Sequence, residues 1–232
     1  MTLSNVGRRG FLAAVGLLLL NHRVRADNGS AIRGPDRLVL LPLGTELPAR
    51  DVEFVSRCLE TFYNFRVDIL DRSDLPKSAY YSPRQRYRAD KLLDYLDRVA
   101  PADATRILGL TGVDISTTRG SVYDWGVLGL ASIDGRVGVL SKLRCSRGTK
   151  TVEEALYRFG KTAVHELGHT LGLQHCPRLG CLMEDAKGTV LTTDREYDLC
   201  PSCRARLESH GRAALLHPNI PWPKPINRRV GP

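Results

Sequence analysis

The stretch His165-Glu166-Leu167-Gly168-His169-Thr170-Leu171-Gly172-Leu173-Gln174-His175 constrains this chain more than any other part of it. His165 and His169 are four residues apart, so a helix projects both imidazoles from one face, where they can grip one ion. A helix continuing to His175 would aim that ring away, because six residues advance about 600°. Gly172 resolves the conflict: a glycine in the left-handed region ends a helix and lets the chain double back. The fold must therefore contain a helix that stops at Gly172 and a reversal that returns His175 to the other two rings. Three neutral imidazoles leave the fourth tetrahedral position of zinc open to water, the catalytic arrangement. Glu166, beside the first ligand, is placed to take a proton from that zinc-activated water as it attacks a carbonyl. HExxH alone arises readily by chance; Gly172 and His175 at these offsets make the pattern specific.

Upstream, Thr151-Val152-Glu153-Glu154 has the form of a capping box. Leu156, Phe159, Ala163 and Leu167 make an apolar stripe at helical spacing, and the histidines fall off it. The spacing predicts a helix packed on the core along one face and carrying a metal on another.

The cysteines are the second constraint. Cys176 and Cys181, with Cys200-Pro201-Ser202-Cys203, supply two thiol pairs suited to a closed, structural zinc site. Disulfides are the alternative, although bridges within a CxxC are strained. A redox CxxC lacks the thioredoxin-like unit that would precede it. Cys58, among Phe54, Val55, Leu59 and Phe62, reads as a small buried hydrophobe, and Cys145 follows an expected strand.

The run from His165 to Cys203 resembles the archaemetzincin family, a branch of the metzincin zinc peptidases. The features that carry the likeness are the HExxHxxGxxH stretch joined directly to Cys176, the Cys181-Leu182-Met183 triplet, and Cys200-Pro201-Ser202-Cys203 sixteen residues further on. A weaker likeness extends from Leu38 to Leu207. The resemblance implies that His165, His169 and His175 bind a catalytic zinc with Glu166 as general base. It implies that Cys176, Cys181, Cys200 and Cys203 bind a second, structural zinc, and that Met183 is the Met-turn residue beneath the histidines. It further implies that an extended peptide pairs with a sheet-edge strand above the cleft, here Gly129, Leu130, Ala131 and Ser132.

The amino terminus reads as a targeting segment. Arg8-Arg9-Gly10-Phe11-Leu12 is a twin-arginine signal pattern, followed by the apolar run Phe11 to Leu20. That run is short for a bilayer span. Val24-Arg25-Ala26 offers a cleavage site, making Asp27 the expected mature start and residues 1–26 the signal peptide. Twin-arginine transport carries folded proteins, so thiolates could be loaded with zinc before export to the periplasm or beyond and would be protected from oxidation there. Of the 34 basic residues four precede Asp27, and none of the 25 acidic ones do, so the remainder carries 30 against 25, a net +5. This excess is modest and contains no run of five like charges, which argues against nucleic acid as a partner.

Residues 27–36 are expected as a linker, 37–215 as the peptidase domain and 216–232, with Pro218, Pro221, Pro223 and Pro225, as a non-helical tail. Within the domain, Leu38–Leu43 reads as a buried strand, Asp51–Tyr63 as an amphipathic helix and Arg66–Leu70 as a second strand. Residues 84–99 are expected to be helical, with Leu92, Leu93, Leu96 and Val99 on one side, and Arg106–Leu110 to form a third strand. Thr111–Asp124 reads as a polar loop, and Gly126–Ser132 with Arg136–Leu140 as a hairpin around Asp134-Gly135. The order implies an α+β fold with a mixed sheet backed by helices. The resemblance implies its metzincin-like form, a mixed, twisted sheet with backing helices, an active-site helix, and a small zinc-stapled carboxy-terminal subdomain.

The reading is an exported, monomeric zinc metallopeptidase with two zinc ions, acting on a peptide or protein and not inserted in a membrane after signal cleavage. A non-catalytic zinc-dependent binding module would need the same ligands but would have no use for Glu166. A zinc hydrolase of a non-peptide amide would share all the chemistry.

Overall fold

The structure, a computed structural model, describes residues 36–217 except 46 and 188, together with 222–224. The expected signal peptide, nearly all of the linker and most of the tail lie outside the described residues. The chain runs from β1 (Arg37–Leu43) through α1 (Ala49–Phe62), β2 (Arg66–Ile69), β3 (Tyr80–Tyr81) and β4 (Arg86–Arg88) to α2 (Ala89–Val99). Five strands follow, β5 (Arg106–Thr111), β6 (Ile115–Arg119), β7 (Val122–Gly126), β8 (Gly129–Ala131) and β9 (Val137–Ser141). The last elements are helical: α3 (Lys142–Cys145), α4 (Val152–Thr170), α5 (Thr192–Arg195) and α6 (Pro201–Ser209).

The main sheet has the order β2-β1-β5-β9-β8. Its first four strands are parallel, and β8 joins antiparallel at the edge, with Leu130 opposite Val139. An uninterrupted apolar strand such as β1 must have both faces covered. Leu38 and Leu40 pack with Val55 and Leu59 of α1 and with Phe159 and Leu167 of α4. Val39, Leu41 and Leu43 turn to the opposite face, against Leu92 and Leu96 of α2. Phe159 and Leu167 are fully buried, worth roughly 2–3 kcal/mol each, against roughly 1 kcal/mol for a helix cap. Packing therefore fixes where the metal-facing side of α4 points. Among the described residues no helix is long and apolar enough to cross a membrane.

The structure corrects three expectations. The helix expected over residues 84–99 begins only at Ala89: Ser82–Arg84 form a short 3-10 turn, Gln85 is left-handed (φ 49°), and Arg86–Arg88 are strand. Arg88 is buried, with its guanidinium on the Thr118 hydroxyl (2.8 Å) and the Tyr123 carbonyl. Val99, expected on the apolar side of that helix, is 41% exposed. The expected loop Thr111–Asp124 instead contributes β6 and β7 to a second sheet of order β3-β4-β6-β7. The expected strand Gly126–Ser132 is broken, since β7 ends in the second sheet at Gly126 and β8 begins in the main sheet at Gly129. The hairpin around Asp134-Gly135 forms as expected, with Asp134 left-handed (φ 54°).

Candidate metal centre and cleft

Helix α4 begins where the sequence places it. The Thr151 hydroxyl accepts the Glu154 N–H (3.1 Å), while the Glu154 carboxylate accepts from Lys150 N–H (2.6 Å), one residue before the cap itself. The helix stops at Gly172 (φ +88°): the Gly172 N–H donates to the His169 carbonyl (2.9 Å) and Leu173 N–H to that of Gly168 (3.0 Å). The reversed chain returns the His175 ring to 4.8 Å from His169 and 5.3 Å from His165, whose own rings are 4.7 Å apart, centre to centre. One nitrogen from each ring lies within 4.8 Å of the others.

Two backbone carbonyls hold the rings. Leu182 O is 2.6 Å from His165 Nδ1, and Leu173 O is 2.7 Å from His169 Nδ1. With Nδ1 donating, the lone pair is left on Nε2, the tautomer a metal needs. Burial holds His165 down to about 3, with His169 adding repulsion, and burial holds His169 down to about 4. Both rings are neutral at physiological pH, which is the ligand form.

Met183 is fully buried under this helix. A Cβ on Gly168 would lie 2.6 Å from Met183 Sδ, so only glycine lets the sulfur approach α4 here. The Met183 carbonyl accepts the Cys176 N–H (2.7 Å), which ties the residue after His175 to the same turn.

Glu166 is 5% exposed, and its Oε2 has no hydrogen-bond partner. Burial raises its carboxyl to about 8. Gly129 of β8 lies directly against it, where a Cβ would come within 2.4 Å of Oε1. These groups line a cleft of about 510 Å³, together with Leu130 and Ala131 of β8, Trp125 of β7, Glu184 to Lys187, Thr189 and Val190. Of the four residues expected to bind substrate, Gly129, Leu130 and Ala131 line the cleft. Ser132 sits in the hairpin, its N–H given to Val137 O (3.0 Å).

The four expected cysteines also converge. Cys176 and Cys181 come from the loop after α4, and Cys200 and Cys203 flank the first turn of α6. Their sulfurs lie within 4.8 Å of one another, with Cys176–Cys200 and Cys181–Cys203 both at 3.7 Å. Sulfurs about 2.3 Å from a tetrahedral zinc are about 3.8 Å apart, whereas a disulfide needs about 2.05 Å. The donor set fits zinc. The bond from Cys203 draws Cys181 down to about 5 and holds Cys203 up, while burial raises Cys176. Four thiolates in this space therefore need a cation. Cys58 and Cys145 are buried elsewhere, and burial pushes both thiols up, Cys145 to about 12.

Sequence reasoning missed several groups. Arg212 donates to the Leu171 carbonyl at the end of α4 and, at 2.7 Å, to Asp134 of the β8–β9 hairpin, whose N–H donates to His169 O (2.9 Å). Arg119 reaches the cleft from a strand expected to be loop, Trp125 from the single residue between that expected loop and the expected hairpin, and Glu196 from a segment read only as spacing between cysteines.

A metal-ready trio of imidazoles, with a buried carboxylate beside it and an open sheet edge above, is the architecture of a metal-dependent peptidase. Comparisons with known proteins agree. The sequence model of Peptidase family M54 matches residues 54–209. The archaemetzincin of Halobacterium salinarum is 34% identical over 178 residues, spanning 72% of this chain and 97% of that protein. The crystal structure of the archaemetzincin of Methanopyrus kandleri superposes with a TM-score of 0.67 at 31% identity, covering 78% of this chain and 97% of that one. A zinc-dependent peptidase from Methanocorpusculum labreanum gives a TM-score of 0.57 at 26% identity, covering 73% and 99%. The chain belongs to the archaemetzincin family, Peptidase family M54, and is a zinc metallopeptidase.

Proposed function

We propose that the chain hydrolyses peptide bonds at the three-histidine site, in the metzincin manner, with Glu166 as general base. His165, His169 and His175 would hold one zinc and Cys176, Cys181, Cys200 and Cys203 a second, structural one. Zinc at the histidines supplies Lewis acidity, polarising the scissile carbonyl and acidifying water. Glu166 takes a proton from the attacking water and hands it to the leaving amine. The observation that carries this reading is the Glu166 carboxylate, buried beside the imidazoles with Oε2 unengaged. Burial makes it a stronger base than an exposed glutamate, and the positive charge of a bound cation opposes that rise.

The peptide would add as a strand to the open edge of β8. The Ser132 N–H points inward to β9, and donors alternate along a strand, so those of Gly129 and Ala131 face outward. These two residues supply the pairing groups, and the missing side chain of Gly129 lets the edge lie against Glu166. Met183 acts as the Met-turn residue, supporting the histidine helix from beneath. Export by the twin-arginine route, with zinc already bound, is the reading supported by Arg8-Arg9 and the following apolar run. The mature protein is proposed to act as a monomer.

The test is Glu166→Gln in zinc-loaded protein, assayed on a peptide library. Turnover should fall by roughly two orders of magnitude or more, with zinc content unchanged because Glu166 is not a ligand. Hydrolysis at the wild-type rate would remove Glu166 from the mechanism.

A further inference from the structure

The cleft continues past Glu166. Thr162 lies one helical turn earlier on α4, and beyond it the lining includes Thr193 of α5 and Glu196, which follows that helix. Glu196 is 2% exposed, and its Oε2 makes no hydrogen bond. Burial pushes its carboxyl up to about 8, against the pull of Lys161 and Arg195 and with the repulsion of Glu184 and Cys181.

The nearby donors are committed elsewhere. Lys161 gives its ammonium to the Thr193 carbonyl at 2.7 Å and that of Asp194 at 3.4 Å. Arg195 is paired with Glu184, while Arg144 and Arg147 are both held by Asp114. The hydroxyls of Thr162 and Thr193 each have one proton, given to the carbonyls of Arg158 (2.8 Å) and Val190 (2.5 Å). The Thr162 and Thr193 hydroxyls therefore present acceptors to this end of the cleft, and Glu196 Oε2 takes no donor from a neighbour. Burial works against the charged form of this carboxyl, and a ligand that brings both positive charge and donors restores it.

We propose that Glu196 is the specificity-determining residue of the cleft, taking the cationic side chain of a lysine or arginine next to the scissile bond. This rests on the peptidase reading above. An ammonium has three donors and no acceptor, the complement of a carboxylate with two spectator hydroxyls. The cleft arginines are engaged by carboxylates of their own, Arg144 and Arg147 by Asp114 and Arg119 by Asp185.

The test uses full-length, zinc-loaded protein and pairs of peptides differing only in lysine or its uncharged counterpart norleucine, on either side of the cleaved bond. At one of the two positions the lysine peptide should be favoured in kcat/KM by about 10- to 100-fold. Glu196→Gln should bring that ratio close to unity. Butylammonium, a mimic of the lysine side chain, should inhibit wild-type protein at lower concentration than butanol, a readout that needs no variant. Equal rates for both peptides in wild-type protein, a lysine preference that survives Glu196→Gln, or butylammonium no better than butanol would each overturn the assignment. Failure to cleave any peptide would remove the peptidase reading itself, and this inference with it.

Discussion

Gly168 gives the sharpest test of how the helix and the turn beneath it are fitted together. It sits inside α4, where alanine is the better helix former by about 0.8–1.0 kcal/mol, so on propensity alone Gly168→Ala should stabilise the protein. The structure reverses the sign. The new Cβ would meet Met183 Sδ at 2.6 Å, with Met183 Cε and Tyr63 Oη both at 3.4 Å, in a region where Met183 and Tyr63 are fully buried. Overpacking of this kind costs about 1–3 kcal/mol, leaving a net loss of about 1 kcal/mol, or about 2–4 °C for a domain of this size. Met183→Ala alone should cost about 2–5 kcal/mol through the cavity it leaves. In that background the added methyl keeps only the contact with Tyr63 Oη at 3.4 Å, so Gly168→Ala should stabilise by up to about 1 kcal/mol. Thermal unfolding of the four zinc-loaded proteins of this cycle measures the coupling directly. Gly168→Ala raising the melting temperature equally in both backgrounds would refute the argument that the sulfur dictates glycine here.

Two further outcomes follow from the same structure. Mild chelation should strip the three-histidine site first and leave a folded, inactive protein with about one zinc, measurable by elemental analysis and circular dichroism; four thiols recovered as disulfides would refute the structural-zinc assignment. Arg158 grips Asp194 at 2.6 and 2.8 Å and holds its carboxyl below the ordinary value. A depressed carboxylate stabilises the fold above its unfolded value of about 3.9 and loses that contribution as pH falls through the folded value. The difference in melting temperature between wild type and Asp194→Asn should therefore be constant above about pH 5 and vanish on strong acidification; a difference unchanged down to the acid limit would refute the pairing.

The metal-facing groups were legible because their geometry is local. His165, His169, Gly172 and His175 obey helical spacing and one left-handed stop, and Phe159 and Leu167 announce which face is buried. The main sheet was legible for a related reason, since β1 has no polar residue to expose after Arg37. The second sheet was not. Its β4–β6 pairing involves only Tyr87 with Ile115 and Arg88 with Ser116, and Thr117 through Arg119 is as polar as any loop. What makes it sheet is the Arg88 guanidinium reaching Thr118 and Tyr123 across the strands, a contact between distant segments with no periodic trace. Glu196 was illegible on the same grounds, because one glutamate looks like any other until α4 and α5 close over it. The carbonyls of Leu173 and Leu182 that hold the histidines carry no side-chain signature at all.

Arg212 bears on how far this protein can be divided. It bridges the end of α4 and the tip of the β8–β9 hairpin from a position beyond the last cysteine. The family-matched region ends at residue 209, and the thiol cluster is complete at Cys203. Yet the peptide group of His169 meets the hairpin through Asp134, and Asp134 is held in turn by Arg212. The smallest segment that preserves the cleft as described therefore ends after Arg212, and a hairpin transplanted from a relative would have to bring a matching carboxylate with it.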